Sequence, residues 1–101
     1  MQKIVVNGSF DGEFRVPDEV AKMIGCRIFD DDPEIRTNPV FIEWVEQHKD
    51  EIIEVKGALG GTFHKRMTLV VVEIPDGVDW VIEENDGFEW VAEKHRNWYP
   101  Q

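Results

Sequence analysis

Carboxylates supply most of the chemistry this chain could do. Glu83, Glu84, Asp86, Glu89 and Glu93 fall within one short stretch of the C-terminal third. If Asp86-Gly87 is the two-residue turn of a hairpin, Glu84 stands opposite Glu89, with Glu83 and Asp86 nearby but off that face. Two carboxylates held close push one pKa upward, so that the pair can serve as acid and base or bind a cation through oxygen. Opposed like charges at a hairpin tip are otherwise simply solvated. His95 and Arg96 follow, and with Asp86 and Glu89 they could converge on a small-molecule or enzymatic site. Trp98, near a terminus, is of the type that anchors an interface. Glu84, Asp86, Glu89, His95, Arg96 and Trp98 are therefore the candidate binding residues, and no residue is given a catalytic role.

Other chemistries fail on spacing. Asp30-Asp31-Asp32-Pro33-Glu34 has the acid density of a Ca²⁺ loop but lacks the alternation, central glycine and distal glutamate of an EF-hand, so it reads as an exposed turn. His48, His64 and His95 share no metal spacing, and the single cysteine, Cys26, cannot complete a zinc tetrad. No base or activating field accompanies Cys26 in the sequence, and Ser9 is not in a nucleophile elbow. His64-Lys65-Arg66 after Gly57-Ala58-Leu59-Gly60-Gly61 could hold a small anion, yet the loop has neither the spacing nor the Lys-Ser/Thr of a P-loop. The expectation is no cofactor, no tightly bound metal and no intrinsic hydrolase activity.

The elements that must position these residues follow from periodicity and turn chemistry. Lys3 to Asn7, with three β-branched residues in a row, predicts a strand, and a second extended piece near Phe14 to Val16 follows an Asp11-Gly12 turn. Pro17 opens a short helix with Val20, Met23 and Ile24 as its apolar face, and Gly25 ends it. Asn38 caps and Pro39 starts a helix running to about Lys49, with Phe41, Trp44, Val45 and His48 on one stripe. Ile52, Ile53 and Val55 either extend that helix or form a short strand. The glycine-rich loop then carries His64 to Arg66 up to the next strand.

Thr68 to Ile74 is the most hydrophobic strand, and its Leu-Val-Val-Val run predicts burial on both faces. Pro75-Asp76-Gly77 turns the chain. Trp80 to Glu84 and Phe88 to Glu93 then form a hairpin about Asp86-Gly87, in which Asn85 faces Phe88, Glu83 faces Trp90 and Ile82 faces Val91. Phe88, Val91, Ala92 and His95 also fit a helical spacing, so a terminal helix is the rival for residues 88–98. Trp44 and one hairpin tryptophan are expected in the core. Together these elements predict a single α+β domain over residues 1–101: a small, mainly antiparallel sheet of about four strands with two helices packed on one face.

With 101 residues the chain can close one hydrophobic core, and with one cysteine it can form no internal disulfide. No apolar run reaches membrane-spanning or signal-peptide length, so the expected address is the cytoplasm. The formal charge is −10, from 21 acids against 11 bases. From Leu69 onward eight acids face only Lys94 and Arg96. Such a balance repels a phosphate backbone and favours a protein partner with a basic surface. Self-association is a further possibility, whereas nucleic acid and membrane are not expected partners.

Four stretches carry a resemblance: Lys3-Ile4-Val5-Val6-Asn7, Arg36-Thr37-Asn38-Pro39, Val72-Glu73-Ile74-Pro75-Asp76, and Asp86-Gly87-Phe88-Glu89 with Ala92-Glu93-Lys94-His95-Arg96-Asn97-Trp98. In these the chain resembles a group of small, uncharacterised proteins encoded by phages and prophages of Gram-positive bacteria. They cover under half of the chain, in matching order. It departs from them after the first strand, where Ser9-Phe10-Asp11-Gly12-Glu13-Phe14 replaces a glycine-rich segment. The resemblance implies no activity. It does imply a mobile-element setting, inside a host cell, in which short acidic proteins often inhibit or modulate host machinery. The first expectation is thus a non-enzymatic binding protein acting on a host protein, and the alternative is a small-molecule-binding or enzymatic domain built on the carboxylate, His and Arg residues named above.

Overall fold

A computed structural model describes residues 1–10, 13–49, 51–56 and 60–94. Its order is β1 (Gln2–Asn7), α1 (Asp18–Ile24), α2 (Pro33–Arg36), α3 (Pro39–Gln47), β2 (Ile52–Lys56), β3 (Thr62–Arg66), β4 (Leu69–Ile74), β5 (Trp80–Asn85) and β6 (Phe88–Glu93). The protein is α+β with antiparallel strand pairing throughout these elements, and its strands are distributed over three ribbons, β1 with β4, β2 with β3, and β5 with β6.

Local chemistry accounts for the helices. Asn38 Oδ1 accepts the backbone N–H groups of Val40 (2.9 Å) and Phe41 (3.4 Å), Pro39 occupies the first helical position, and Phe41, Ile42, Trp44 and Val45 are buried. His48 lies at the C-terminal end, its ring stacked 4.0 Å from that of Trp44. In α1 the buried residues are Val20 and Ala21, and Met23 is exposed rather than inward. The helix stops where Gly25 turns left-handed at φ 74 and the Cys26 N–H returns to the Ala21 carbonyl at 3.0 Å.

Further expectations change. Asp30 to Glu34 is not merely a turn: Asp32 caps and Pro33 starts the short helix α2, because an Asp-Pro pair both satisfies a free N–H and presets φ. His64 to Arg66 does not ride a loop but belongs to strand β3, paired with β2, which settles Ile52 to Lys56 as a strand rather than a helical extension. And β4 is not buried on both faces. Leu69 is inside, but Val70 is 44% exposed, because successive side chains of β4 point to opposite faces and Val70 points away from the one that packs on the core. The buried strand is β1, in which Ile4, Val5, Val6 and Asn7 are all enclosed. Helix α3 packs on β1 and β4, while α2 and β6 lie against β1. Phe14 and Val16 enter the core without forming a strand, with the Val16 N–H bonded to the Ile28 carbonyl at 2.8 Å. The Asp11-Gly12 turn and residues 57–59 lie outside the described residues.

The β5–β6 hairpin takes the register that Asp86-Gly87 dictates: Asn85 with Phe88, Glu84 with Glu89, Glu83 with Trp90, and Ile82 with Val91. Asp86 at φ 50 and Gly87 at φ 90 are the two left-handed residues that such a tight turn requires. The rival helix is excluded over Phe88–Glu93. No helix among the described residues is long and apolar enough to cross a membrane.

Candidate functional site

Successive residues of a strand point to opposite faces, so β6 sends Glu89 one way and Phe88, Trp90 and Ala92 the other. Each direction builds a different site.

Inward, Glu89 meets Arg36 from the end of α2. The two side chains are 9% and 3% exposed and form a bidentate pair, Nη1 to Oε1 and Nη2 to Oε2, both at 2.9 Å. Arg36 Nε also donates to the Asp31 carbonyl at 2.8 Å, and Nη1 to the Val5 carbonyl at 3.1 Å. Its guanidinium carbon lies 3.9 Å from the centre of the Phe14 ring. Glu89 Oε1 further accepts the Asn7 backbone N–H at 2.8 Å. Asn7 itself donates its side-chain Nδ2 to the Gly87 carbonyl at 2.7 Å and the Ser9 carbonyl at 3.2 Å. Both neighbours are acceptors, which fixes the orientation of the amide. Its Oδ1 is buried with no hydrogen-bond partner among the described residues, a state that costs about 1–3 kcal/mol.

This cluster is a clasp between β6, β1 and α2. Removing two charges from water is expensive, and only the bidentate geometry and the additional backbone bonds offset it. The carboxylate also stands where a neighbouring strand's carbonyl would receive the Asn7 N–H, so it joins β6 to β1 without a backbone ladder. Both charged groups are enclosed and engaged with one another.

Outward, Phe88 and Trp90 lie at ring-centre separations that make one row with Phe10: Phe10 stacks on Phe88 at 4.9 Å, and Phe88 stands 6.1 Å from Trp90. Phe10 is 64% and Trp90 39% exposed. By register Val81, Glu83 and Asn85 share this face, and all three are exposed. Between Trp80 and Glu93 there is no lysine or arginine, while Glu83, Glu84, Asp86 and Glu93 are exposed. Glu84 turns to the tip of the hairpin and accepts the Gly87 N–H at 3.0 Å. Other exposed apolar side chains, Met23, Phe29, Val40 and Ile52, stand on separate elements, and Arg15 covers Phe29 at 5.3 Å from its ring centre.

The carboxylates read as a potential pair therefore part company. Glu84 and Asp86 are exposed at the turn, and Glu89 is enclosed with Arg36, so they do not form a joint acid, base or cation site. His95, Arg96 and Trp98 lie outside the described residues. Of the hairpin tryptophans, Trp80 is half-buried and Trp90 exposed, so neither is a full core residue. Among the described residues no group of three His, Cys, Asp or Glu side chains could hold a metal ion. Burial raises the Cys26 thiol pKa, and Asp30 and Asp32 raise it further, opposite to what a nucleophile needs. Sequence reasoning missed Arg36 and Asn7 as partners of Glu89, and Phe14 as the ring beneath Arg36. The Asp32-Pro33 start signal was the one local clue that Arg36 ends a helical turn. No family model, curated protein or solved structure matches the chain.

Proposed function

We propose that this protein is a non-enzymatic binding protein that engages a basic protein surface through the outward face of the β5–β6 hairpin. The observation that carries the reading is the row formed by exposed Phe10, half-buried Phe88 and exposed Trp90, the last two on a hairpin whose solvated charges are all negative. Exposed large apolar groups gathered in one row are costly in a monomer and characteristic of contact surfaces. The acids around them raise the encounter rate with a basic partner and disfavour nucleic acid. The resemblance to phage and prophage proteins supports a host protein in the bacterial cytoplasm as the target. The small-molecule or enzymatic alternative has lost its central carboxylate, Glu89, to Arg36.

The test is affinity capture from a host lysate with the wild type and a Phe10→Ser/Trp90→Thr variant side by side, the variant's fold being checked by its amide spectrum. The expected result is a basic protein retained by the wild type at low salt, released at high salt and lost from the folded variant, since exposed charges are screened beyond about 10 Å at 0.1 M ionic strength. Capture that the variant and salt leave unchanged would remove this face from the reaction.

A further inference from the structure

We propose that Trp90 and Glu83 together form a receptor for a single cationic side chain, an arginine presented by an extended segment of the partner. The inference rests on the binding reading above and gives it a chemistry. Glu83 stands directly opposite Trp90 in the β5–β6 register, which puts their Cβ atoms about 5 Å apart on one face. Both are exposed, and among the described residues Glu83 has neither an ion pair nor a hydrogen bond. An indole face beside a carboxylate suits a guanidinium: the flat cation stacks on the ring while its N–H fork turns to the acid.

The molecule already holds an arginine in this manner on the other face of the same hairpin. Arg36 lies over the Phe14 ring at 3.9 Å and is gripped by Glu89, the residue immediately before Trp90. There the cation comes from α2 and the site is filled. On the outward face, from Trp80 to Glu93, the hairpin carries no basic residue of its own to fill it. Charge complementarity selects the occupant. A second copy docking face to face would bring Glu83 and Asp86 against their own equivalents, which is repulsive. A segment with arginine at one position and apolar residues two away matches both the cation site and the aromatic row, because strand residues on one face recur at every second position.

The experiment is an amide and indole NMR titration of the whole chain at low salt with three capped peptides, Thr-Val-Thr-Arg-Thr-Val-Thr and the same sequence with lysine or glutamine in place of arginine. The Trp90 indole signal is identified from Trp90→Phe. The expected result is a saturable shift of Trp90 and Phe88 by the arginine peptide, with affinity about threefold to tenfold above the glutamine form and lysine between them. Glu83→Gln should remove most of that preference, while Glu84→Gln, on the other face, should keep it. Equal affinity for arginine and glutamine peptides would overturn the cation receptor and leave an apolar binding face standing. No perturbation of Trp90 or Phe88 by any peptide would overturn both readings. Shifts of Trp90 on raising protein concentration alone would overturn the arginine occupant in favour of a second copy.

Discussion

At Phe88, Glu89 and Trp90 the two faces of strand β6 reverse the usual polarity of a strand at a protein surface. Glu89 is enclosed against Arg36 on the face it shares with half-buried Trp80, Ile82 and Val91, while the opposite face presents half-buried Phe88 and exposed Trp90. A strand serving stability alone would place its aromatics inward and its charge in water. Here the hairpin is fastened to β1 and α2 by hydrogen bonds converging on Glu89 and Asn7, and its aromatic surface is left for something else. The contrast teaches that attachment and recognition have been divided between alternate residues of one strand, so that each can be broken without the other.

The largest effect should come from breaking the attachment. Glu89→Ala leaves the Arg36 guanidinium enclosed without its counter-charge and the Asn7 N–H without its acceptor. Such a change costs about 3–5 kcal/mol, and Arg36→Ala should cost a similar amount from the other side. The double replacement Arg36→Met/Glu89→Leu should cost far less than the sum of the single losses, because an apolar pair of similar volume removes the desolvation cost as well as the attraction. Denaturant midpoints with unchanged slopes would measure this. Additive losses would mean that the two side chains act separately and that the clasp is not a unit.

Next in size is the turn that sets which residue faces which way. Gly87 at φ 90 sits where an L side chain is strained, so Gly87→Ala should cost about 1–2 kcal/mol. Its carbonyl also receives the Asn7 amide, so the loss should appear as faster amide exchange at β6 and at Asn7 and leave α3 protected. Uniform loosening of the whole chain would show instead that the hairpin and the α3 core open together.

Much of this arrangement was legible in the residue order. Asp86-Gly87 between alternating runs fixed the hairpin pairing residue by residue, and Asn38-Pro39 fixed the start of α3, because both signals act over a few neighbouring positions. What escaped was long-range. Arg36 and Glu89 are 53 positions apart, and a glutamate flanked by aromatics has the same period-two pattern whichever face turns inward. The Leu-Val-Val-Val run misled for a related reason. Apolar residues permit burial on both sides, but whether both faces of a strand are enclosed depends on what packs across each, and on β4 Leu69 is covered while Val70 is left exposed. Of the six candidate residues, Glu84, Asp86 and Glu89 fall in the hairpin as expected. The functional contrast lies between Glu89 and the two aromatics beside it, which acid counting does not reveal.

The smallest effect on stability should come from the outward face, and its smallness is the point. Trp90→Thr keeps a residue that suits a strand while removing an indole that is 39% exposed, and Phe10→Ala removes a ring that is 64% exposed. Phe10 keeps most of its surface in water, so its loss should move stability by no more than about 0.5 kcal/mol, the range of ordinary surface substitutions, and that of Trp90, more of whose indole is covered, should cost about 1 kcal/mol. The loss of Phe10 also removes one stacked contact with Phe88, worth about 0.5–1.5 kcal/mol at most when well buried and less where water reaches both rings. Binding of a basic partner should nevertheless fall markedly in both variants, chiefly through faster dissociation, because an aromatic anchor enclosed in a complex contributes far more than the same ring in water. Calorimetric unfolding beside a dissociation-rate measurement separates the two readouts. If either variant lost 2 kcal/mol or more of stability, the aromatics would belong to the hairpin's attachment after all, and the division of labour along β6 would not hold.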